Sequence, residues 1–402
     1  MYPDLSYILH DLIGTPRDHA FLSIIKTFGM FLAIAFLAAG FLLYLELRRR
    51  ERNNVLNAST VTVTPNPKPT TTDLLVSALI GFIVGFKVLF ILLNFDAFSA
   101  DGAGVLFSSQ GNVLGGIIGA ALWAGYKYYT LNKAHNPKAK PKKMKIYPSD
   151  RVGDIVIVAA VSGILGAKIF ALIEEPAAFA ADPIGMLFSP AGLAIYGGLI
   201  GGFVGVYLYV RRFDIPIVEI MDATAPGLIL AYGIGRLGCH FSGDGDWGIP
   251  VKGPNAYRTE AYDLSTPPDW LSWLPDWLWK YDYPHNVLNR GVAIPGCEDQ
   301  YCSVLDIPVF PTSIWEFLMA LAIFGILWFL RTRLPVAGML FFLYVLLNGI
   351  ERLLIEQVRI NEPFAGTDYT QAEMIAVLFI VIGGAGMVYL WQRRRRVISP
   401  PS

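Results

Sequence analysis

Charge is what this sequence has least of. Only 16% of its 402 residues are Asp, Glu, Lys or Arg, whereas a soluble domain carries about a quarter. Mean hydropathy is +0.48 and long apolar runs fill the difference, which excludes an ordinary soluble domain and points to a membrane protein. Charge of one sign is also missing, with 32 basic and 32 acidic side chains. The basic residues stand in short clusters between apolar runs and not on one face, which argues against a nucleic-acid partner. Cysteine is scarce too: three in the chain exclude a scaffold built on disulfides. One bridge at most is expected, between Cys297 and Cys302, while Cys239 stands alone beside a charged motif.

What the chain does have is apolar length. A bilayer span needs roughly 20 mostly apolar residues. Nine runs qualify, at about 21–46, 74–95, 104–127, 152–173, 191–210, 217–238, 311–330, 335–356 and 371–392. The fold class expected is an all-α polytopic membrane protein of about nine transmembrane helices, an odd number that puts the termini on opposite sides. Basic clusters follow alternate spans: Arg48, Arg49, Arg50 and Arg52; Lys133, Lys138, Lys140, Lys142, Lys143 and Lys145; Arg211 and Arg212; Arg331 and Arg333; and Arg393 to Arg396. The positive-inside rule then places the N-terminus outside and the C-terminus in the cytoplasm.

Residues 1–20, with Asp4, Asp11, Pro16 and Asp18 and no basic leader, read as an external interfacial segment. Residues 51–72, rich in Asn, Thr and Pro, read as a flexible cytoplasmic linker. The large insertion at 239–310 falls outside as a small head, carrying five of the nine tryptophans, among them Trp270, Trp273, Trp277 and Trp279. Bunched tryptophan suits the headgroup layer or a small aromatic core, and the sequence leaves both open.

The chain also repeats itself at an offset of 81 residues. Asp73, Gly85 and Lys87 match Asp154, Gly166 and Lys168; Ala97-Phe98 and Asp101 match Ala178-Phe179 and Asp182; Leu106-Phe107-Ser108 and Gly111 match Leu187-Phe188-Ser189 and Gly192. After a one-residue insertion, Leu114-Gly-Gly-Ile-Ile-Gly meets Tyr196-Gly-Gly-Leu-Ile-Gly. This is a duplicated helical hairpin whose copies share orientation, unlike an inverted transporter repeat.

Several motifs carry chemistry. Gly197, Gly201 and Gly205, with Gly198 and Gly202, strip two stripes of one helix of side chains, for close helix packing or for room beside a lipid. Gly233-Ile-Gly235-Arg236-Leu-Gly238 matches a dinucleotide pattern but follows no strand, so that reading is discarded. Arg236 itself matters, because a guanidinium at the end of a span faces a partner or snorkels. Cys239-His240-Phe-Ser-Gly-Asp244-Gly-Asp246-Trp247-Gly248 reads as a turn-rich stretch with a titratable histidine and two carboxylates, short of a defined metal-ligand pattern. At the end of the eighth span, Arg352, Glu356 and Arg359 fall at i, i+4 and i+7 of a helix. With Arg236 they bring three arginines to one interface, and arginine forks match phosphate, so the ligand expected there is a phospholipid headgroup.

These residues resemble the prolipoprotein diacylglyceryl transferase family. The resemblance is carried by Lys26-Thr-Phe28-Gly29-Met30, Tyr196-Gly197-Gly198-Leu-Ile-Gly-Gly, Asp222-Ala-Thr-Ala-Pro226, Gly235-Arg236-Leu-Gly238 with Trp247-Gly248, Pro311-Thr-Ser-Ile-Trp-Glu316, and Arg352-x-x-x-Glu356-x-x-Arg359, in the family's order over about 20–395. It implies a seven-span core with one hairpin added, the second copy being the one that matches. This chain departs from the family's usual His at Tyr196, Tyr at Phe28, Asn at Cys239 and Tyr at Asn348. The resulting divisions are 1–50, external segment and first span; 51–72, linker; 73–127, extra hairpin; 128–151, basic loop; 152–238, family-like core; 239–310, external head; and 311–396, C-terminal core.

The function implied is transfer of the diacylglyceryl group of phosphatidylglycerol to the lipobox cysteine of a prolipoprotein signal peptide, at the outer face of a bacterial inner membrane. The product is a thioether. The substrate supplies the thiol, so neither a metal nor an organic cofactor is expected. Arg236 and Arg352 are assigned to the phosphate, Arg359 supports them and Glu356 orients them, with Asp222, Gly197, Gly198, Glu316, Phe28 and Cys239 as substrate contacts. Tyr196, His240 or an aspartate of the turn, Asp244 or Asp246, is left to take the thiol proton, with His240 slightly ahead for its intrinsic pKa and Tyr196 holding the family's position. The alternatives are a non-catalytic phospholipid- or lipoprotein-binding protein and a phospholipid transporter.

Overall fold

The computed structural model describes residues 1–17, 19, 21–63, 68–100, 105–106, 108–135, 141–188, 194–254, 261–263, 273–364 and 366–398. Asp18, Asp101, Phe107, Lys138, Lys140, Ser189, Gly192 and Trp270, all named above, lie outside the described residues.

The chain is mostly helical. In order come α1 (Leu5–Ile13), α2 (Thr27–Arg52), α3 (Thr71–Leu93), α4 (Phe95–Ala100), α5 (Val113–Ala134), α6 (Val152–Glu174) and α7 (Pro176–Ala181). Then follow α8 (Pro183–Phe188), α9 (Ile195–Arg211), α10 (Ile217–Ser242), α11 (Thr312–Leu330), α12 (Met339–Glu356) and α13 (Gln371–Ile398). Six of them, α2, α3, α6, α10, α11 and α13, are long and apolar enough to cross a membrane. Helices α5, α9 and α12 cover the other three apolar runs, α9 being apolar but only 17 residues long.

Boundaries shift where side chains say so. Helix α2 runs on to Arg52, because Arg49 and Arg50 pair with Glu46 one turn back and extend it. Helix α5 starts at Val113, not near 104, where the Asn112 side chain accepts from the Gly115 N–H as an N-cap.

One compact unit comprises Met1–Asp18, Ile25–Arg50 and Ile215–Ser402. Its core joins Ala225 and Ile229 of α10, Ala320, Ile323 and Leu327 of α11, and Leu340 of α12. At the start of α10, the buried Glu46 takes Arg49, Arg50 and Arg331, and Arg50 also bonds Glu219. At the other end of α10 lies a small cap of extended chain, tied by bridges from Gly248 to Arg359 and from Pro250 and Tyr281 to Val309. Trp247 and Trp279 are core residues of this cap, with Tyr283, Val309, Ile249, Val251 and Phe310, whereas Trp273 and Trp277 are exposed. Cys297 and Cys302 form a disulfide in the same segment, as their spacing allows.

The second unit comprises His19–Ile24 and Glu51–Asp214. It holds the duplicated hairpins, α3 with α5 and α6 with α9. Both close on glycine: a Cβ at Gly85 would fall on the Gly115 carbonyl, and one at Gly166 on the Gly197 carbonyl. Residues 51–72 are not simply a linker. Strand β1 (Ser59–Val63) pairs antiparallel with β2 (Lys142–Ile146), Ser59 opposite Ile146, so the first hairpin is inserted between two paired strands. The Ser-Thr-Val-Thr-Val alternation of β1 fits a ladder.

Candidate functional site

The site is built at the end of α10. Gly243 stops that helix in the left-handed conformation, φ 64°, its N–H returning to the carbonyls of Cys239 and His240. Cys239 and His240 therefore belong to the last helical turn and not to the glycine loop expected. The turn after Gly243 brings Asp246 back onto Arg236, and Asp246 also accepts from Arg359. Thr312 fixes this turn by donating to the Asp246 carbonyl at 3.1 Å. Gly248 is required by close approach: a Cβ there would stand 2.7 Å from the Val358 carbonyl oxygen, beside which Gly248 bridges Arg359.

Glu316, on the second turn of α11 and fully buried, is where the arginines meet. Its Oε2 lies 3.3 Å from Arg236 Nε, and its Oε1 lies 3.4 Å from Arg352 Nη1 and 3.5 Å from Arg359 Nη1. Glu356 pairs with Arg352 at 2.8 Å and accepts from Asn361 at 2.7 Å and Thr370 at 2.6 Å. The arrangement corrects one expectation. Helix α12 ends at Glu356, so Arg359 is not the third member of a helical face and reaches the cluster from the extended chain beyond. Three guanidiniums thus meet three carboxylates, Asp246, Glu316 and Glu356, which is what allows charges to remain buried.

The two aspartates of the turn are driven apart. Burial opposes ionisation of Asp246, but Arg236 and Arg359 outweigh it and hold the carboxyl at about 2. Burial pushes Asp244 up, and the Asp246 anion beside it adds to the rise. Cys239 is a free buried thiol, its Sγ 3.6 Å from Asp246 Oδ2 and 4.0 Å from Arg236 Nη1.

Other expected residues stand elsewhere. His240 is buried in an aromatic wall, its Nδ1 3.2 Å from the Tyr283 hydroxyl and its ring edge-on to Phe241, Tyr281 and Tyr283. Asp222 accepts from the Gly338 and Phe341 N–H groups at 2.7 and 2.8 Å, tying α10 to the start of α12. It lies fourteen residues before Arg236, about 21 Å along the helix at 1.5 Å per residue. Phe28 lies against Gly238 on α10, 41% exposed. Tyr196, Gly197 and Gly198 open α9 in the second unit, where Gly197 packs on Phe170 and Gly166.

Sequence reasoning missed Tyr232 and Glu351. Tyr232 donates to Glu316 at 2.9 Å and lies 3.2 Å from Glu351. Their signals were present: Tyr232 is one turn before Arg236 on the same face, and Glu351 is a carboxyl inside an apolar run.

Among the described residues, two groups have metal-ligand spacing. In Cys239, Asp244 and Asp246 the ligand atoms lie within 4.8 Å of one another, but Asp246 already serves two guanidiniums that repel a further cation. In His285, Cys297 and Asp299 the sulfur is committed to the disulfide.

Comparison with known proteins gives a consistent picture. The family model of prolipoprotein diacylglyceryl transferase matches residues 128–389, beginning within the last turns of α5 and spanning every charged residue of the cluster. A phosphatidylglycerol–prolipoprotein diacylglyceryl transferase of Clostridium tetani is 27% identical over 61% of this chain and 82% of its own length. One of Staphylococcus carnosus is 28% identical over 63% of this chain and 78% of its own. One of Corynebacterium efficiens is 31% identical over 62% and 67%.

Proposed function

Because this chain belongs to the prolipoprotein diacylglyceryl transferase family, we infer that it moves the diacylglyceryl group of phosphatidylglycerol onto the cysteine thiol of a prolipoprotein. It is a membrane transferase of lipoprotein biosynthesis. The observation that carries the reading is the convergence of Arg236, Arg352 and Arg359 on Glu316, inside the stretch the family model covers.

In the reaction proposed, the thiolate attacks the glyceryl carbon, the C–S bond forms, the C–O bond to phosphate breaks and glycerol phosphate leaves. Charge grows on the phosphate, and preorganised guanidiniums are the groups that stabilise it. Arg236 and Arg352 are assigned to it because 14% and 22% of their side chains remain exposed, against 8% for Arg359. Arg359 then acts as the buried support, and Glu316, Glu356 and Asp246 hold the forks in place until the lipid phosphate takes their free N–H groups.

For the thiol proton, Asp244 is favoured within this unit. Burial and the neighbouring Asp246 raise it from its ordinary value, which moves it toward the working pH of a base, while Asp246 is kept ionised for the arginines. Tyr196 is the second choice, on the resemblance that puts it at the family's histidine position.

The remaining expectations are part of the same proposal: nine crossings, an external N-terminus, a cytoplasmic C-terminus, and the arginine cluster at the outer face of the inner membrane, reading the lipobox cysteine. The hairpin at 73–127 is proposed as an addition to the family core and 239–310 as an external head. The single sidedness of the basic clusters supports this topology.

The test is purified protein with phosphatidylglycerol and a lipobox peptide. Release of glycerol phosphate with a thioether on the peptide is expected. Lipid that is bound and recovered unchanged would overturn the enzyme in favour of the binding protein.

A further inference from the structure

Glu351 has no task in that mechanism. It stands on α12 next to Arg352, 2% exposed, and among the described residues it forms no ion pair with Arg236, Arg352 or Arg359. Its Oε1 lies 3.2 Å from the Tyr232 hydroxyl, and its Oε2 is buried without a hydrogen-bond partner. The same hydroxyl lies 2.9 Å from Glu316 Oε1. A phenol has one hydrogen, and ionised carboxylates only accept. The bridge from Glu316 through Tyr232 to Glu351 therefore needs one more proton. Glu316 already meets three guanidiniums while Glu351 meets none of them as an ion pair, so the proton belongs on Glu351.

We propose that Glu351 is held protonated, donates to the Tyr232 oxygen, and so commits the Tyr232 hydrogen to Glu316, which makes Glu351 and Tyr232 positioning residues for the carboxylate on which the arginines meet. The proposal rests on the transferase reading above. The groups facing Glu351 are Tyr232 and Arg236 from α10, Glu316 from α11, and Tyr344 and Arg352 on its own helix. Glu373, on the neighbouring α13, is occupied by Gln357 and Thr370. Removing the Glu351 proton sets a second anion against Tyr232, draws its hydrogen away from Glu316, and loosens the seat of Arg236 and Arg352. Transfer should therefore fall on the alkaline side as Glu351 ionises.

The experiment uses full-length protein in phosphatidylglycerol-containing nanodiscs. Infrared spectra should contain a protonated carboxyl C=O band at neutral pH that disappears in Glu351→Gln. Tyr232→Phe and Glu351→Ala should each lose about tenfold to a hundredfold in kcat with little change in KM, the size of one hydrogen bond to a charged group. Glu351→Gln, which supplies a neutral donor, should restore kcat to within about threefold of wild type and abolish the alkaline fall. An unchanged carboxyl band, a Gln variant as slow as Glu351→Ala, or an alkaline fall that persists in the Gln variant each overturns the proposal. The infrared band reports independently of turnover, so a wild-type protein that releases no glycerol phosphate would overturn the transferase reading and leave the protonation of Glu351 decided.

Discussion

Arg236 and Asp246 are ten residues apart in the chain and in direct ion contact, because Gly243 ends α10 left-handed and the following turn doubles back on the helix face. That reversal gives Arg236 a second carboxylate beside Glu316. Asp246 then reaches Arg359, Arg359 reaches Glu316, and Glu316 returns to Arg236. Each guanidinium is held on two sides, so in the proposed reaction the forks are aimed before a lipid arrives and need no reorganisation as charge develops.

If the planar forks matter more than their charge, Arg236→Lys and Arg352→Lys should each lose most of the turnover while the protein still inserts into membranes. Lysine keeps the cation but cannot hold Asp246 and Glu316, or Glu316 and Glu356, at once. Near-normal glycerol phosphate release by both variants would return these arginines to a role as interface anchors.

The turn that pairs Arg236 with Asp246 should fail when Gly243 gains a side chain. Gly243→Ala places a Cβ at φ 64° and 2.8 Å from the Cβ of Asn286, and the left-handed conformation alone costs an L-residue about 1–2 kcal/mol. A lower Tm and reduced turnover are expected together. An unchanged Tm would mean that the turn tolerates the residue and does not set the pairing.

Acid should act on the same turn through Asp246. Its folded value of about 2 lies below the unfolded carboxylate value of about 3.9. Its ion pairs therefore contribute stability in full above about pH 4, and that contribution is lost as pH falls toward 2. Asp244, raised, runs the other way: it favours the folded state at low pH and ceases to do so as pH rises through its folded value. Acid unfolding of Asp246→Asn should begin from a lower stability and show a shallower fall between about pH 4 and 2 than wild type. Parallel acid curves for the two proteins would remove Asp246 from the balance.

How much of this was legible beforehand follows from what each residue depends on. Helix positions depend on local apolar length, so α3, α6, α10 and α11 fall where the runs predicted. Helix ends depend on caps and pairs: α10 continues four residues past the apolar run that ends at 238, up to its left-handed Gly243 cap. Arg359 was assigned to a helical face because its spacing from Arg352 fits i+7, but α12 stops at Glu356, whose side chain is turned to Asn361 and Thr370 beyond the helix. Strand β2, Lys-Lys-Met-Lys-Ile, carries no strand signal of its own and pairs only because β1 lies opposite. The three arginines were found by residue type, but that one carboxylate, Glu316, joins them is a tertiary fact with no local pattern.

The last question is the thiol proton, for which three residues make different predictions. His240 has the most suitable intrinsic pKa, about 6.5, but its ring is enclosed by Phe241, Tyr281 and Tyr283 and its Nδ1 is engaged by the Tyr283 hydroxyl, so His240→Gln should change stability more than rate. Tyr196 starts from about 10 and needs strong depression to act as a base, and Tyr196→Phe removes only the hydroxyl. Asp244 is already raised by burial and by Asp246, so Asp244→Asn should abolish the acid limb of the rate profile, a limb shifted upward from an ordinary aspartate's. Turnover against pH in the three variants separates them. A retained acid limb in Asp244→Asn, with the damage falling on Tyr196→Phe, would move the base to Tyr196. Loss confined to His240→Gln, at unchanged Tm, would mean that the aromatic wall opens around the imidazole during turnover.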